Sequence, residues 1–251
     1  MFIRQWFPAT DRRSDEDEIM ENPDVSRSDF VRALGEIRWV NRNLGGTAAI
    51  LDALEGLCEA DHPPDILSDA LRILDLGTGS ADIPMAMAEW GRANQRKLQI
   101  TAVDLHPAAV EEAQTRTASY PEIEVRQGNA LTLPDEPQSF DYVVSSMFMH
   151  HLSQAEAAEL LRDMARLSRK GLVVNDLERH PWAWMSIRLL GRLTAKGHIF
   201  RHDSALSVLR GFQKAELEAL CREAGLEGVE IRHRFPFRWV LVWRRAEPID
   251  S

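Results

Sequence analysis

Two acids and two glycines set the chemistry this chain can do. Asp75-x-Gly77-x-Gly79 follows a short aliphatic run, and Asp104 closes a second one, Leu98 to Val103. Glycines at a strand end let backbone approach a ligand closely, and the helix that starts after them offers unpaired N–H groups. A dinucleotide fingerprint needs a third glycine where this chain has Asp82, and the Gly-Lys-Ser/Thr of a phosphate loop does not follow. Asp75 at the strand tip repels a pyrophosphate and welcomes an ammonium or a sulfonium. Asp104 is set to take two ribose hydroxyls. The pattern describes an adenosine with an amino-acid tail and no phosphates. The competing reading is a plain Rossmann-like domain that binds NAD or nothing.

The elements that must hold these residues read as alternating strands and helices. Strands are expected at 71–76, 98–103, 122–126, 140–146 and 171–175, with helices at 81–93, 107–118 and 154–168 between them. Ser80 or Asp82 is the expected cap of the first of these, and Ser153 with Glu156 forms a capping box for the last. A helix over 212–224 and two final strands, 229–235 and 237–244, complete an α/β, Rossmann-like sheet. Before it, residues 1–24 read as a tail with an apolar tip (Phe2, Trp6, Phe7). Residues 25–64 read as an N-terminal helical cap that ends in a Pro63-Pro64 linker, and residues 65–251 as the main domain.

With both acids, the glycine turn and the βα alternation in hand, the chain resembles the class I S-adenosylmethionine (SAM)-dependent methyltransferases over Leu71 to Val174. The resemblance implies a seven-stranded sheet of order 3-2-1-4-5-7-6 with the last strand antiparallel. It implies SAM as cofactor and S-adenosylhomocysteine as product. Asp75, Gly77 and Gly79 then cradle the methionine end, Asp104 holds the ribose, and Asn129 and Ala130 meet adenine. Asn129 stands where the family often has an acid, and its amide oxygen still accepts a hydrogen bond. Asp82, Leu105, Ser146 and Met147 complete the implied cofactor set.

The acceptor side is less explicit. His150-His151 follows the fourth strand, beside the expected methyl donor. One reading is a general base for a phenol or hydroxyl; the other is a pair of scaffold histidines. His151 reads as the more sheltered of the two. The fifth strand runs into Asp176-Leu177-Glu178-Arg179-His180, whose side chains should face the substrate. Residues 181–211 read as a lid insertion: an apolar helix, a polar elbow over 196–203, and a short helix from Ser204. Its Trp, Met and Phe content suits an aromatic substrate. A membrane-surface contact and a dimer surface are the other readings. Arg38, Asn41, Arg179, His180, His202 and Arg210 are the substrate-side candidates, and no metal site is read.

These features favour methylation of a small aromatic or polyketide-like metabolite at a hydroxyl oxygen. C-methylation of a quinone precursor and a non-catalytic SAM-binding partner protein are the alternatives. The segment Ser146-Met147-Phe148-Met149 lacks the Asn-Pro-Pro-Tyr-type tetrapeptide of amino-group methylation. A formal charge of −9 disfavours non-specific nucleic-acid binding. Two cysteines without metal or disulfide spacing suit the cytoplasm, and no apolar run is long enough to span a membrane. A monomer or a homodimer is expected.

Overall fold

The computed structural model describes residues 10–61 and 70–246. The Pro63-Pro64 linker and the tip with Phe2, Trp6 and Phe7 lie outside the described residues.

Seven strands form one sheet: β1 Leu71–Leu76, β2 Leu98–Asp104, β3 Ile123–Gln127, β4 Phe140–Ser146, β5 Ser168–Leu177, β6 Glu230–Arg234 and β7 Arg238–Arg244. Their order is β3-β2-β1-β4-β5-β7-β6, with β7 antiparallel to both neighbours and the other pairings parallel. The central strands are near-continuous aliphatic runs because both their faces are covered. On one face, Ile50 and Leu54 of helix α2 (Gly46–Asp61) and Met87 of α3 (Asp82–Ala93) pack on Ile73, Tyr142 and Val144. On the other, Leu160, Leu161 and Met164 of α5 (Gln154–Leu167) and Leu217 of α8 (Lys214–Glu223) pack on Leu74, Val143 and Leu172. Helix α4 (Pro107–Thr117) follows β2.

The first helix, α1 (Arg27–Asn43), is capped by Ser26, whose hydroxyl accepts from the Asp29 amide. The capping box of Ser153 and Glu156 is present at α5. Helix α3 departs from expectation. Ala81, not Ser80 or Asp82, takes the cap position, in a left-handed conformation (φ 57°) with no side-chain cap. Tight reversal after Gly79 decides this, and it frees Asp82 to bond elsewhere. After β5 come α6 (Pro181–Thr194) and α7 (His198–Arg210). The expected polar elbow is therefore shorter, because the apolar pair Ile199-Phe200 is buried and draws the chain into helix from His198.

Residues 10–24 are not a free tail. A 3-10 turn, Ile19–Glu21, sits on α7, with the Ile19 and Met20 amides donating to the Asp203 carboxylate at 2.9 and 3.0 Å. Arg13 donates to the carbonyls of Arg210, His150 and Leu152 and lies over the Phe212 ring. Such a density of charge-assisted bonds outweighs the entropy of a short acidic segment.

Candidate functional site

The site is built at the carboxyl ends of β1, β2, β4 and β5, where parallel sheets collect ligands. It has two halves.

The first half is the loop after β1. Gly77 and Gly79 have φ of 71° and 54°, a region open to glycine. A Cβ on Gly77 would stand 2.5 Å from Phe148, so ring and backbone touch there because no side chain intervenes. The Gly79 amide donates to Asp104 Oδ2 at 2.8 Å, and the His106 amide to Asp104 Oδ1 at 2.9 Å. Asp104 is thereby oriented by backbone, with lone pairs left over. Asp75 is buried, and its Oδ2 has no hydrogen-bond partner among the described residues. Burial pushes its carboxyl up to about 8; the Thr78 hydroxyl opposes this, and neighbouring Asp82 and Asp104 add to it. Asp82 and Asp104 are also raised, chiefly by burial. Three carboxyls thus converge with too little positive charge. Asn41 of α1 donates to Asp82 Oδ2 at 3.2 Å, while its own Oδ1 is buried and unpartnered. Leu105 is exposed, and Asn129 turns its Oδ1 to the Leu131 amide at 3.0 Å, beside buried Ala130.

The second half is a cavity of about 590 Å³. Its walls are largely aliphatic. Ala33, Ile37 and Val40 come from α1 and Leu44 from its C-terminal cap, Ala183, Ile187 and Leu190 from α6, and Ile199, Phe200 and Val208 from α7. Helix α1 divides the halves: Asn41 points to the glycine loop, while the Ala33-Ile37-Val40-Leu44 stripe faces the cavity. The Ser146–His151 stretch joins them, with Phe148 against Gly77, and Met147 and His150 on the cavity.

His150 is the buried member of the pair, 2% exposed, and His151 the more open, which reverses the expectation. The cause is Asp176. At the end of β5 it accepts from the His150 amide at 3.0 Å and holds His150 Nδ1 at 2.7 Å. Complete burial would raise the Asp176 carboxyl, but His150 holds it below the usual range. Nε2 of His150 then faces Glu18, 3.9 Å away, on the cavity wall. Glu18 is buried and its carboxyl raised by burial, with Ser207 donating to it at 2.7 Å. His151 Nδ1 instead meets Glu21 at 2.6 Å.

Several expected substrate residues do other work. Arg179 has a fully buried side chain that pairs with Glu216 at 2.7 Å and donates to the Gly211 and Thr10 carbonyls. Arg210 is spent on Glu21 and on the His150 and His151 carbonyls. His180 caps α6 through the Trp182 amide, and His202 bonds Asp203 with its ring half exposed. None of these four lines the cavity. Arg38 and Asn41 serve the first half: Arg38 lies 4.0 Å from Glu112 and near enough to lower Asp82. Met147, expected with the cofactor, lines the cavity with its sulfur 2.9 Å from Arg238 Nη1. Ser146 accepts from Asn175 at 2.9 Å inside the sheet.

Sequence reasoning missed Glu18 and Arg238. Arg238 is 2% exposed, lines the cavity and makes no ion pair among the described residues. Burial brings its guanidinium down to about 10, with Asp176 opposing. An arginine placed directly before the apolar run 239–243 was the available signal.

Comparison with known proteins follows the same lines. A family model described as a methyltransferase domain matches residues 73–171. A demethylmenaquinone methyltransferase of Bacillus licheniformis is 30% identical over 171 residues, covering 62% of this chain and 71% of that protein. One from Staphylococcus epidermidis is 32% identical over 107 residues, 43% of this chain, and the match spans only 42% of that protein's length. Among solved structures, a magnesium protoporphyrin IX methyltransferase from Synechocystis with bound SAH has a TM-score of 0.56 at 16% identity, covering 87% of this chain and 97% of that one. At that identity the likeness is one of fold.

Proposed function

Because the chain belongs to the class I SAM-dependent methyltransferases, we propose that it methylates an apolar aromatic or polyketide-like molecule at a hydroxyl oxygen, with His150 as base. One observation carries this reading: a buried histidine whose Nδ1 is fixed by Asp176 and whose Nε2 faces Glu18 on the wall of a largely apolar cavity.

The first half of the site fits SAM on physical grounds. Asp75 Oδ2, buried and unpartnered, suits an ammonium. Three carboxyls raised by burial, Asp75 also by the acids beside it, would be relieved by a cationic ligand. Asp104 keeps lone pairs for ribose hydroxyls, and Gly77 and Gly79 hold the loop open to close approach. When bound, SAM supplies the methyl group and the sulfonium that activates it.

The chain's own residues do the rest. His150 accepts the acceptor's hydroxyl proton at Nε2, and Asp176 stabilises the resulting imidazolium through Nδ1. A positioned base contributes roughly 10²–10⁴-fold. Arg238 offers a cation to the oxygen as it loses its proton, the role a buried, unpaired guanidinium is suited to. Met147, with contacts near Arg238 and the cavity, helps to hold the acceptor oxygen in line and to exclude water. Alignment of this kind is worth about 7–11 kcal/mol when geometry is ideal. Asn129 and Ala130 are the adenine-side candidates.

Incubation with methyl-labelled SAM and a panel of phenols and quinols tests the reading. Label on the oxygen of an apolar phenol is expected, and it should fall sharply in His150→Gln. Label only in protein or RNA would overturn it. A second reading, methylation of a quinone-type ring, is favoured by the names of the Bacillus and Staphylococcus relatives. Finding the methyl on a ring carbon of the product would select it.

A further inference from the structure

Helix α6 has two apolar faces, and among the described residues only one is covered. Ala183, Ile187 and Leu190 line the cavity. On the outer side, Trp182 is 54% exposed, Met185 38%, Leu189 58% and Leu193 75%. Their spacing of three and four places all four along one stripe. Scattered exposed apolar residues are ordinary, whereas a continuous stripe of large ones calls for an occupant. Arg188 and Arg192 run along its flank. Arg188 lies over the Trp184 ring, and neither arginine makes an ion pair among the described residues. This positive edge stands on a chain whose formal charge is −9. Across the cavity mouth, Phe235 lines the cavity yet is 83% exposed.

We infer that the outer face of α6 docks on an anionic lipid bilayer, so that an apolar acceptor passes from the membrane into the cavity. Apolar side chains in a stripe beside basic ones are the signature of an interfacial helix. Arg188 and Arg192 would meet anionic headgroups against the general repulsion of an acidic protein. The same helix forms the cavity wall on its other side, so the route for the acceptor is short and apolar. A second copy of the chain fits less well. The stripe is about 17 Å long and roughly one helix wide, well below the ~800 Å² per partner of a stable dimer. The purpose of the docking rests on the apolar-acceptor reading above, but its measurement does not.

Flotation of the full chain with vesicles of phosphatidylcholine, alone or with about one-third phosphatidylglycerol, tests this. The wild type should float with the anionic vesicles and much less with the neutral ones. Leu189→Ser with Leu193→Ser should cut binding about tenfold or more. Arg188→Gln with Arg192→Gln should cut it by about fivefold per arginine, on anionic vesicles only. SAM titration should be unchanged in both variants, which shows them folded and separates this result from the methyltransferase reading. Absence of wild-type flotation would overturn the inference, as would equal flotation of the variants. So would a wild-type dimer in sedimentation that Leu193→Ser dissociates, since the stripe would then cover a second copy.

Discussion

Asp75 in the donor half is treated in the opposite way to Glu21 and Asp176 in the acceptor half, whereas buried Glu18 on the cavity is raised as Asp75 is. On the donor side Asp75 is pushed up to about 8 by burial and by the acids beside it, and no cation answers it. On the acceptor side partial burial also works to raise Glu21, yet hydrogen bonds from His151 and Arg210 pull it down to about 2. Asp176 is as buried as Asp75, but His150 holds its carboxyl low. Where the chain supplies its own hydrogen-bond donors to a carboxyl, the acid is structural or orients another group. Where it withholds them, the missing charge belongs to a ligand.

Breaking the acceptor half should have the largest effect. His150→Gln is expected to lower turnover by about 10²–10⁴-fold and to leave SAM affinity unchanged, read by steady-state rates and calorimetry. A variant of normal rate would return His150 to the scaffold. Next comes the donor loop. Gly77→Ala forces a Cβ into Phe148 at a φ of 71°. About 2–4 kcal/mol of stability should go, measured by denaturant unfolding, together with most SAM binding. Arg210→Met should cost about 2–3 kcal/mol, since Glu21 is partly exposed, without altering SAM affinity. Glu21 has a depressed carboxyl, so its contribution is present above the ordinary value of 4.5 and lost as pH falls through about 2. The variant should therefore lose more stability at pH 6 than at pH 2.

The smallest effect carries an unusual sign. Asp75 is raised, so its contribution to the ligand-free protein is fully present below 3.8 and lost as pH rises through about 8. Asp75→Asn should raise the melting temperature of the free protein by a few degrees near pH 8, corresponding to about 1 kcal/mol. A lower melting temperature would mean that the carboxylate is already satisfied.

The donor half was legible in the sequence because it is local. Asp75, Gly77 and Gly79 lie within one turn, and Asp104 ends the neighbouring strand. Strand order followed from the resemblance and is met by the pairing of β7 with β5 and β6. The acceptor half was legible only in parts. It gathers Glu18, His150, Asp176 and Arg238, which no spacing rule connects. Arginines read as substrate ligands went to ion pairs: Glu216 faces Arg179 from α8, and Glu21 takes Arg210. The docked course of residues 10–24 depends on Asp203 and Arg210 far along the chain. An acidic run carries no sign of such partners.

Calorimetric titration of SAM between pH 8 and pH 6, into the wild type and Asp75→Asn, tests the central claim most directly. A cationic ligand favours the ionised carboxyl, so binding below pH 8 must expel the Asp75 proton. Wild-type affinity should fall by up to about tenfold per pH unit, with proton release seen as a buffer-dependent heat. Asp75→Asn should bind more weakly at pH 8 and with little dependence on pH. A wild type whose affinity is flat over this range, or a variant that binds as the wild type does, would contradict the account.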